Sequence, residues 1–330
     1  MTVKMRRRAF ITLLGGGMAA WPLAARAQQP VPVIGFLGVN SPEPLASAIS
    51  VFRRELAAAG YIEGQNMLID YRFAQGRYDR LPGLAADLVR RQVSVIVTGV
   101  TSQVALAAKN ASSTIPIVFG VSEDPTKLGL VASLARPGGN ATGVNILISE
   151  LGAKQLGLLR ELVPTVTRVS LLLNPTNSNH EPITKDVIGA ASTMGLQIEV
   201  LHARDREEIE SAFASLKRNR AEALLVGADA LFFNRRIQIV TLTTRLGIPA
   251  IYNLREYAEA GGLMSYGTNL GDAYRQLGIY TSRILNGAKP ADLPVVQSTT
   301  FELVINLPTA KALEITVPPM LIARADEVIE

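Results

Sequence analysis

Two short segments of this chain are nearly the same, although they lie far apart. IPIVFG occupies residues 115–120 and IPAIYN occupies residues 248–253, and each follows a helix-like stretch and leads toward a Gly-Gly pair. The predicted strands that precede them begin at residues 93 and 221, so the elements recur at a spacing of about 130 residues. This matching order of four elements predicts a duplicated architecture. The length of 330 residues also favours two domains, because chains of this size usually form more than one hydrophobic core.

Each copy alternates predicted strands with predicted helices. The first begins with the apolar strand VPVIGFLG at 31–38 and a helix at 43–59, and it closes with a helix at 127–139 and the short strand ATGVN. The second restarts with RVSLLLNP at 168–175 and a helix over 180–194. Apolar strands separated by helices indicate parallel sheets with right-handed crossovers. The predicted fold is therefore α/β, with two doubly wound parallel-sheet lobes.

The basic charge of the chain is concentrated at its N-terminus. The formal net charge is +5, with 33 basic and 28 acidic residues. Residues 1–27 hold Lys4, Arg6, Arg7, Arg8 and Arg26 and no acidic residue, so the remainder has equal numbers of basic and acidic side chains. This balance gives no electrostatic reason to expect binding to nucleic acid or to an anionic membrane.

The N-terminal segment has the layout of an export signal. A basic stretch is followed by a modestly apolar run over 9–25, which three glycines at 15–17 interrupt. The run is too short and too rich in glycine for a membrane span. The motif RRAFI at 7–11 resembles the twin-arginine export motif. The small-x-small pattern Ala-Arg-Ala predicts cleavage after Ala27, with a mature chain that begins at Gln28.

The absence of cysteine bears on the compartment and on the chemistry. The sequence contains no cysteine, so disulfide bonds and thiolate metal ligands are excluded. No cysteine stands at the predicted cleavage site to carry a lipid anchor. An exported chain without such an anchor is typical of a protein that resides in a bacterial periplasm, and we expect that location.

The expected ligand site lies between the two lobes. Ligands of open α/β sheets bind in a crevice outside the carboxyl ends of the strands. Two such lobes that face each other merge their crevices into one cleft, a position that ligand sites favour. The residues directly after the predicted strands are therefore the candidates for ligand contact.

Polar residues follow two predicted strands of the first lobe. Thr101, Ser102 and Gln103 come after VSVIVTG at a helix N-terminus, where free N–H groups and the helix dipole favour a carboxylate. The alternative is that they only cap the helix. Ser122 and Asp124 follow IPIVFG, and Asp124 either meets a ligand ammonium group or caps the next helix.

The second lobe offers a corresponding set of residues. Asn174 and Asn177, in LLLNPTNSN, either donate hydrogen bonds to a ligand or are ordinary turn residues. Asp229 follows ALLVG as a second candidate partner for an ammonium group, and Tyr252 follows IPAI. Tyr266, in LMSYG, either forms the floor of the cleft or packs in the hinge. A carboxylate site and an ammonium site together describe an α-amino acid or a similar zwitterion.

Common enzyme signatures are missing from this sequence. No GxGxxG motif follows the first strand, and neither a P-loop nor a GxSxG nucleophile elbow is present. The two histidines, His180 and His202, are far apart, which argues against a histidine metal site or a catalytic triad. A catalytic mechanism would have to use carboxylates such as Asp124 and Asp229, and the sequence does not show that they are close. We therefore expect no cofactor and no metal.

Four long segments are distinctive. They are SEDPTKLGLVASLARPGGNATGVN, REYAEAGGLMSYG, YRQLGIYTSRILNGAKPADLPV and FELVINLPTAKALEITVPPMLIARADEVIE. They resemble the ABC-transporter substrate-binding protein family whose characterised relatives bind tryptophan or tyrosine, and the resemblance extends from about Pro32 to Glu330. It implies a type I periplasmic-binding-protein fold, in which two lobes are joined by three crossovers. The helix at 269–287 would then return to the first lobe, and the strand FELVINL would go back to the second.

The resemblance also implies a ligand-contacting region. It corresponds here to Thr101, Ser102, Gln103, Ser122, Asp124, Asn174, Asp229 and Tyr266. We expect the first lobe to comprise residues 28–148 with about 268–290, and the second lobe to comprise about 149–267 with 291–330.

The expected function is that of a periplasmic solute-binding component of an ABC importer. It would bind a small ligand, an amino acid or a related carboxylate, between lobes that close by hinge rotation. A permease and an ATPase would be separate proteins. We expect a monomer without nucleic acid or membrane anchor. Two alternatives stay open, because fold does not decide function: a carboxylate-based enzyme on the same scaffold, or a ligand-sensing domain for a receptor.

Overall fold

The computed structural model describes residues 31–146, 151–298 and 300–330. The predicted export signal at 1–27 lies outside these residues. The segment Pro32–Glu330 forms one compact unit. Among the residues that the structure describes, no helix has both the length and the apolar composition needed to cross a membrane.

Strands and helices alternate along the described chain. The strands are β1 (Val33–Gly38), β2 (Leu68–Phe73), β3 (Val95–Val100), β4 (Ile117–Val121), β5 (Ala141–Asn145), β6 (Arg168–Leu173), β7 (Gln197–His202), β8 (Ala223–Val226), β9 (Ala250–Tyr252), β10 (Met264–Thr268), β11 (Val296–Gln297), β12 (Phe301–Asn306) and β13 (Glu327–Ile329). The helices are α1 (Ala46–Ala58), α2 (Leu81–Arg90), α3 (Ser102–Ala111), α4 (Gly152–Leu162), α5 (His180–Met194), α6 (Arg206–Arg218), α7 (Ala230–Asn234), α8 (Arg236–Leu246), α9 (Arg255–Glu259), α10 (Leu270–Leu285), α11 (Leu307–Ala312) and α12 (Pro319–Arg324).

The strands form two sheets with the same internal order. The first sheet has parallel strands in the order β2-β1-β3-β4-β5, and β11 joins it beside β5. The second has the order β7-β6-β8-β9-β10, followed by β12, which is antiparallel to β10, and by β13. The duplicated architecture predicted from the repeat is therefore confirmed. IPIVFG contributes β4 and IPAIYN contributes β9, which occupy the same place in their sheets.

Helices cover both faces of the first sheet. Neighbouring residues of β3 point to opposite faces, as the pleat requires. Val97 belongs to a core with Phe52 of α1 and Leu277 of α10, whereas Ile96 belongs to a core with Leu88 of α2. Burial on both faces explains why the sequence of this strand is continuously apolar and not alternating.

Helix α10 packs on the first lobe, as the family resemblance implied. It contacts α1 along its length and also contacts β3, β4 and β5. The close approach depends on Gly278, because a Cβ atom there would lie 3.0 Å from the backbone oxygen of Phe52 and 2.8 Å from the Cβ of Glu55. The ring of Tyr274 on α10 lies 6.2 Å from that of Phe36 on β1. This packing aims the N-terminus of α10 at the space between the sheets.

The chain passes between the two sheets three times: after β5, after β10 and after β11. The exact lobe boundaries stay a prediction, but one short segment departs from the expected division. Val296–Gln297 belongs to the range 291–330 expected in the second lobe, yet it pairs with Val144 and Asn145 of β5 in the first sheet. A two-residue strand carries no periodicity from which its sheet can be predicted.

The prediction of a helix at 127–139 is wrong. This segment is a series of turns, in which the N–H groups of Leu130 and Val131 both donate to the carbonyl of Pro125. Gly129 has a φ angle of +71°, in the left-handed region that interrupts a helix. Leu130 and Val131 are buried in the first-lobe core, so the apolar residues that suggested a helical face anchor a loop instead.

Candidate functional site

A cavity lies between the carboxyl ends of the two sheets, where a ligand site was expected. Thr101 follows β3 and Ser122 follows β4 on one side, and Asp229 follows β8 and Asn253 follows β9 on the other. The space between the atoms measures about 730 Å³, part of which is open solvent. The complete lining consists of Asn40, Leu45, Tyr78, Val100, Thr101, Ser102, Gln103, Ser122, Ile146, Asn177, Ser178, Asn179, Ala228, Asp229, Ala230, Phe233, Asn253, Leu254, Thr268, Leu270 and Tyr274.

Six of the sequence-predicted site residues line this cavity. They are Thr101, Ser102, Gln103, Ser122, Asn177 and Asp229. The remaining four, which are Asp124, Asn174, Tyr252 and Tyr266, are absent from the lining. The side chain of each of these four residues forms a hydrogen bond or a ring contact with a residue outside the lining.

Helix α3 begins at the cavity without a side-chain cap. Thr101 occupies the N-cap position with extended backbone angles, φ −154° and ψ 125°, but no side chain caps the helix. The alternative that these residues only cap the helix is therefore not supported. The first N–H groups of a helix lack partners within the helix itself, so this N-terminus can receive hydrogen-bond acceptors from a ligand. The next residue, Ser102, is almost completely buried.

Two other long helices reach the cavity, and only α10 differs from α3 in having a side-chain cap. Helix α10 is capped by Asn269, whose side chain accepts from the N–H of Asp272. At the start of α5 no side chain caps the helix, although Asn177 accepts from the N–H of Asn179 through its Oδ1 atom at 3.0 Å. Asn177 therefore lines the cavity and also serves as a turn residue.

Asp229 has a hydrogen-bond donor at each of its acceptor positions. Its Oδ1 atom accepts from Asn174 Nδ2 at 3.0 Å and from the N–H of Leu231 at 2.8 Å. Its Oδ2 atom accepts from Asn177 Nδ2 at 2.8 Å and from the hydroxyl of Tyr78 at 2.9 Å. Burial raises the pKa of Asp229, although these donors oppose the increase. The expected role as an ammonium partner is therefore not supported, because a carboxylate offers only about four lone-pair positions.

Asp124 and Asn174 act within their own turns. The Oδ1 atom of Asp124 accepts from both the N–H and the hydroxyl of Thr126, at 2.8 and 2.6 Å, and these bonds lower its pKa. The Oδ1 atom of Asn174 accepts in the same way from the N–H and hydroxyl of Thr176, at 3.0 and 2.8 Å. Asn174 also supports the cavity indirectly through its bond to Asp229.

The two predicted tyrosines belong to the second lobe and do not reach the cavity. Tyr252 is fully buried, stacks on Tyr257 with ring centroids 4.7 Å apart, and shares a hydrogen bond of 2.9 Å with the Thr243 hydroxyl. Tyr266 packs against the ring of Phe301 at 6.2 Å. Tyr252 is the last residue of β9, and its side chain lies on the sheet face that Tyr257 and Thr243 cover, whereas Tyr266 lies in the middle of β10 against Phe301, so neither side chain reaches the crevice.

The sequence analysis does not identify the three aromatic residues of the lining, which are Tyr78, Phe233 and Tyr274. Tyr78 begins a short 3₁₀ helix, Tyr78–Arg80, between β2 and α2, and no periodicity in the sequence indicates its position. Tyr274 lies on α10 and is fully buried. Its spacing from Leu270 and Leu277 places all three on one helix face, which was a detectable signal for burial but not for the cleft.

Hydrogen bonds cross the cavity from one lobe to the other. Tyr78 donates to Asp229, as described above. Gln103 Nε2 donates to the carbonyl of Thr176 at 3.2 Å, and Asn179 Nδ2 donates to Ser122 Oγ at 2.8 Å. The lobes are therefore in contact across the cleft, which is a closed arrangement.

The polar side chains of the lining are almost all neutral. Apart from tyrosine hydroxyls, Asp229 is the one ionisable side chain among the described lining residues. Two amide oxygens, Gln103 Oε1 and Asn179 Oδ1, are buried there and have no hydrogen-bond partner among the described residues. The described part of the chain contains no cluster of three or more His, Cys, Asp or Glu side chains that would hold a metal ion.

The sequence from residue 36 to residue 329 matches the family model described as "ABC transporter substrate binding protein". The chain belongs to this family. It therefore has the type I periplasmic-binding-protein fold expected from the resemblance, and its relatives are binding proteins and not enzymes. The carboxylate pair that an enzyme would require is also not assembled, because Asp229 lines the cavity and Asp124 does not.

Three relatives are informative. A tyrosine-binding protein of Clostridioides difficile is 26% identical over 263 residues, which cover 80% of this chain and 75% of that protein. An ABC domain from Streptococcus pneumoniae in complex with L-Trp is 25% identical, with a TM-score of 0.81 over 90% of this chain and 99% of that one. The ligand-free, open structure of a substrate binding protein with adhesive properties from Clostridium difficile is also 25% identical, with a TM-score of 0.64 over 91% and 99% of the two chains.

The last two comparisons agree with the contacts across the cleft. At the same sequence identity, the L-Trp complex superposes better than the structure described as open and ligand-free. Lobe orientation is a general reason for such a difference between hinged proteins of one fold.

Proposed function

We propose that this protein is the solute-binding component of an ABC importer and holds a small ligand between its two lobes. The observation that carries the proposal is the cavity between the carboxyl ends of both sheets, with hydrogen bonds that join the lobes around it. Hinged lobes that close on a ligand are a general device for capture and release. A closed, loaded form then differs in shape from an empty one, which a permease can distinguish.

The proposed ligand is an amino acid or a related small carboxylate. The uncapped N-terminus of α3 supplies N–H donors and the positive end of a helix dipole for a carboxylate. The apolar part of the ligand would contact Leu45, Phe233, Leu254 and Tyr274, which also line the cavity. The tyrosine and tryptophan named for the two relatives support an aromatic member of this class.

The remaining parts of the proposal concern location and partners. Substrate-binding proteins of ABC transporters act in the periplasm or outside the cell. Export through the twin-arginine signal at 1–27, with cleavage after Ala27, would deliver this chain to the periplasm as a monomer. The permease and the ATPase would be separate proteins, and neither nucleic acid nor a membrane anchor has a part in the mechanism.

The experiment that tests the proposal is a binding survey on the mature protein. Mass spectrometry of protein purified without denaturation would identify any ligand that it retains. Calorimetry and thermal unfolding would then compare amino acids, related carboxylates and sugars. A ligand at a hundred times its dissociation constant should raise the free energy of unfolding by about 2.7 kcal/mol, and X-ray scattering should show a smaller radius of gyration. Binding of sugars alone would refute the proposed ligand class.

A variant pair tests the carboxylate site directly. Thr101→Asp places a carboxylate at the N-cap of α3, where it caps the helix and competes with the ligand carboxylate. Thr101→Asn caps the helix equally well without the charge. We expect Thr101→Asp to weaken carboxylate binding by about tenfold or more, since juxtaposed like charges cost several kcal/mol. Equal affinities for the two variants would place the ligand carboxylate elsewhere.

A further inference from the structure

Tyr78 joins the two lobes at the edge of the cavity. It lies between β2 and α2 in the first lobe, and its hydroxyl donates to Asp229 Oδ2 at 2.9 Å. Asp229 is at the N-cap of α7 in the second lobe. The two residues are 151 positions apart in the sequence, and both line the cavity. Their hydrogen bond requires the lobes to be close together, because each residue belongs to a different lobe.

The other donors to Asp229 come from its own lobe. Asn174, Asn177 and the N–H of Leu231 hold the carboxylate in place without any contribution from the first lobe. Lobe opening would therefore remove a single donor, the Tyr78 hydroxyl, and leave the other three. A preformed carboxylate with one unfilled acceptor position is suited to receive the hydroxyl on closure, because a hydrogen bond to a charged acceptor is stronger than a neutral one.

A ligand ammonium group would have to compete for the same position. With four donors present, the Asp229 carboxylate has no remaining lone pair for an additional N–H. Two other acceptors in the cavity are unoccupied, the buried amide oxygens of Gln103 and Asn179. A ligand N–H group can be satisfied by these neutral oxygens without breaking the contact between the lobes.

We infer that Tyr78 is a positioning residue that holds the lobes closed by donating to Asp229, and that Asp229 serves this contact and not an ion pair with the ligand. The inference rests on the proposed function, because it assigns a closing contact to a protein that captures its ligand by closure. Tyr78 and Asp229 then help to retain the bound ligand, whereas the other lining residues determine which ligand binds.

The first test compares Tyr78→Phe with a matched control. Tyr61→Phe removes a hydroxyl that donates to Asn286 Oδ1 at 3.0 Å, within the first lobe and away from the cavity. With L-tryptophan as the probe, loss of a hydrogen bond to a charged acceptor should weaken binding to Tyr78→Phe by about 10- to 100-fold. Faster dissociation should account for the loss, with an unchanged association rate. Tyr61→Phe should bind like the wild type.

A readout independent of affinity separates closure from general stability. The proposed function requires lobes that are open without ligand, so the bond to Asp229 is then absent, and the melting temperature of unliganded Tyr78→Phe should equal that of the wild type. Scattering with saturating L-tryptophan should show less compaction than in the wild type. An unchanged dissociation rate, or a lower melting temperature without ligand, would overturn the role assigned to Tyr78.

The second test separates closure from ammonium recognition. L-Tryptophan and indole-3-propionate share a skeleton, but only the former has an ammonium group. We expect Asp229→Asn to weaken both by the same factor, since the variant damages the contact between the lobes. A loss at least tenfold larger for L-tryptophan would overturn the inference but leave the proposed function intact. If neither probe binds the wild type, nor any other carboxylate in the survey, the proposed function fails and this inference fails with it.

Discussion

Gly267 in β10 controls the distance between two strand ends that form one wall of the cavity. A Cβ atom at this position would lie 1.8 Å from the backbone oxygen and 2.8 Å from the carbonyl carbon of Asn253. Contacts of Cβ atoms below 3.0 Å essentially never occur, so Gly267→Ala requires a backbone shift of more than 1 Å. We expect it to lower the free energy of unfolding by about 3 kcal/mol, the upper part of the usual range for overpacking.

The same shift should also reach the ligand site. Asn253 and Thr268, which flank the contact, both line the cavity. Urea unfolding measures the stability, and calorimetry with a ligand that the wild type binds measures the affinity, which should fall as well. Both measurements are needed, because a loss of stability alone would not show that the cavity had been altered.

Gly189→Ala is the matched control. Gly189 is exposed on helix α5, and a Cβ atom there would have no heavy atom within 4 Å. This substitution should stabilise the protein by about 0.8–1.0 kcal/mol through helix propensity, without effect on binding. If Gly267→Ala unfolds within about 0.5 kcal/mol of the wild type, which is the range of an ordinary surface substitution, the close backbone contact and the reasoning from it are refuted.

Three further predictions concern acid stability, core packing and export. Two backbone N–H groups lower the pKa of Glu222 to about 2 from an ordinary value of 4.5, so its stabilising effect is present above pH 4.5 and is lost as the pH falls toward 2. Glu222→Gln should therefore unfold more easily than the wild type at pH 6 and nearly equally at pH 2, and a constant difference in urea midpoint would contradict this. Tyr252→Phe should cost about 1 kcal/mol, because it removes a buried hydrogen bond to Thr243; an unchanged urea midpoint would show that the bond adds nothing. Replacement of both Arg7 and Arg8 by Lys should retain the precursor in the cytoplasm, and unchanged delivery in a fractionation experiment would show that the twin-arginine route is not used.

Much of the fold was accessible from local sequence patterns. Continuous apolar segments bounded by turn residues located β1, β4 and β9, because burial on both faces of a parallel sheet leaves that pattern. The repeat spacing then revealed the duplication. The prediction of a helix at 127–139 was wrong because apolar residues do not by themselves indicate a helix. Its apolar residues are buried as predicted, but burial does not distinguish a helix from a loop in which Gly129 has left-handed backbone angles.

The approximate location of the cavity was also accessible, because parallel strands bring their carboxyl ends to one edge of a sheet. That rule placed Thr101, Ser122 and Asp229 in the lining. It failed for Tyr252, because β9 extends to this residue and its side chain lies on the face of the sheet buried against Tyr257, and for Tyr266, which lies in the middle of β10.

The partners of the polar side chains were decided by tertiary structure alone. Asp229 suggested an ammonium site from its place after a strand, yet folding surrounds it with four donors. One of these donors, Tyr78, lies in a short 3₁₀ helix of the other lobe that no sequence pattern indicates. Local periodicity reflects which face of an element is buried, whereas a hydrogen bond between residues 151 positions apart depends on how two lobes meet across a hinge.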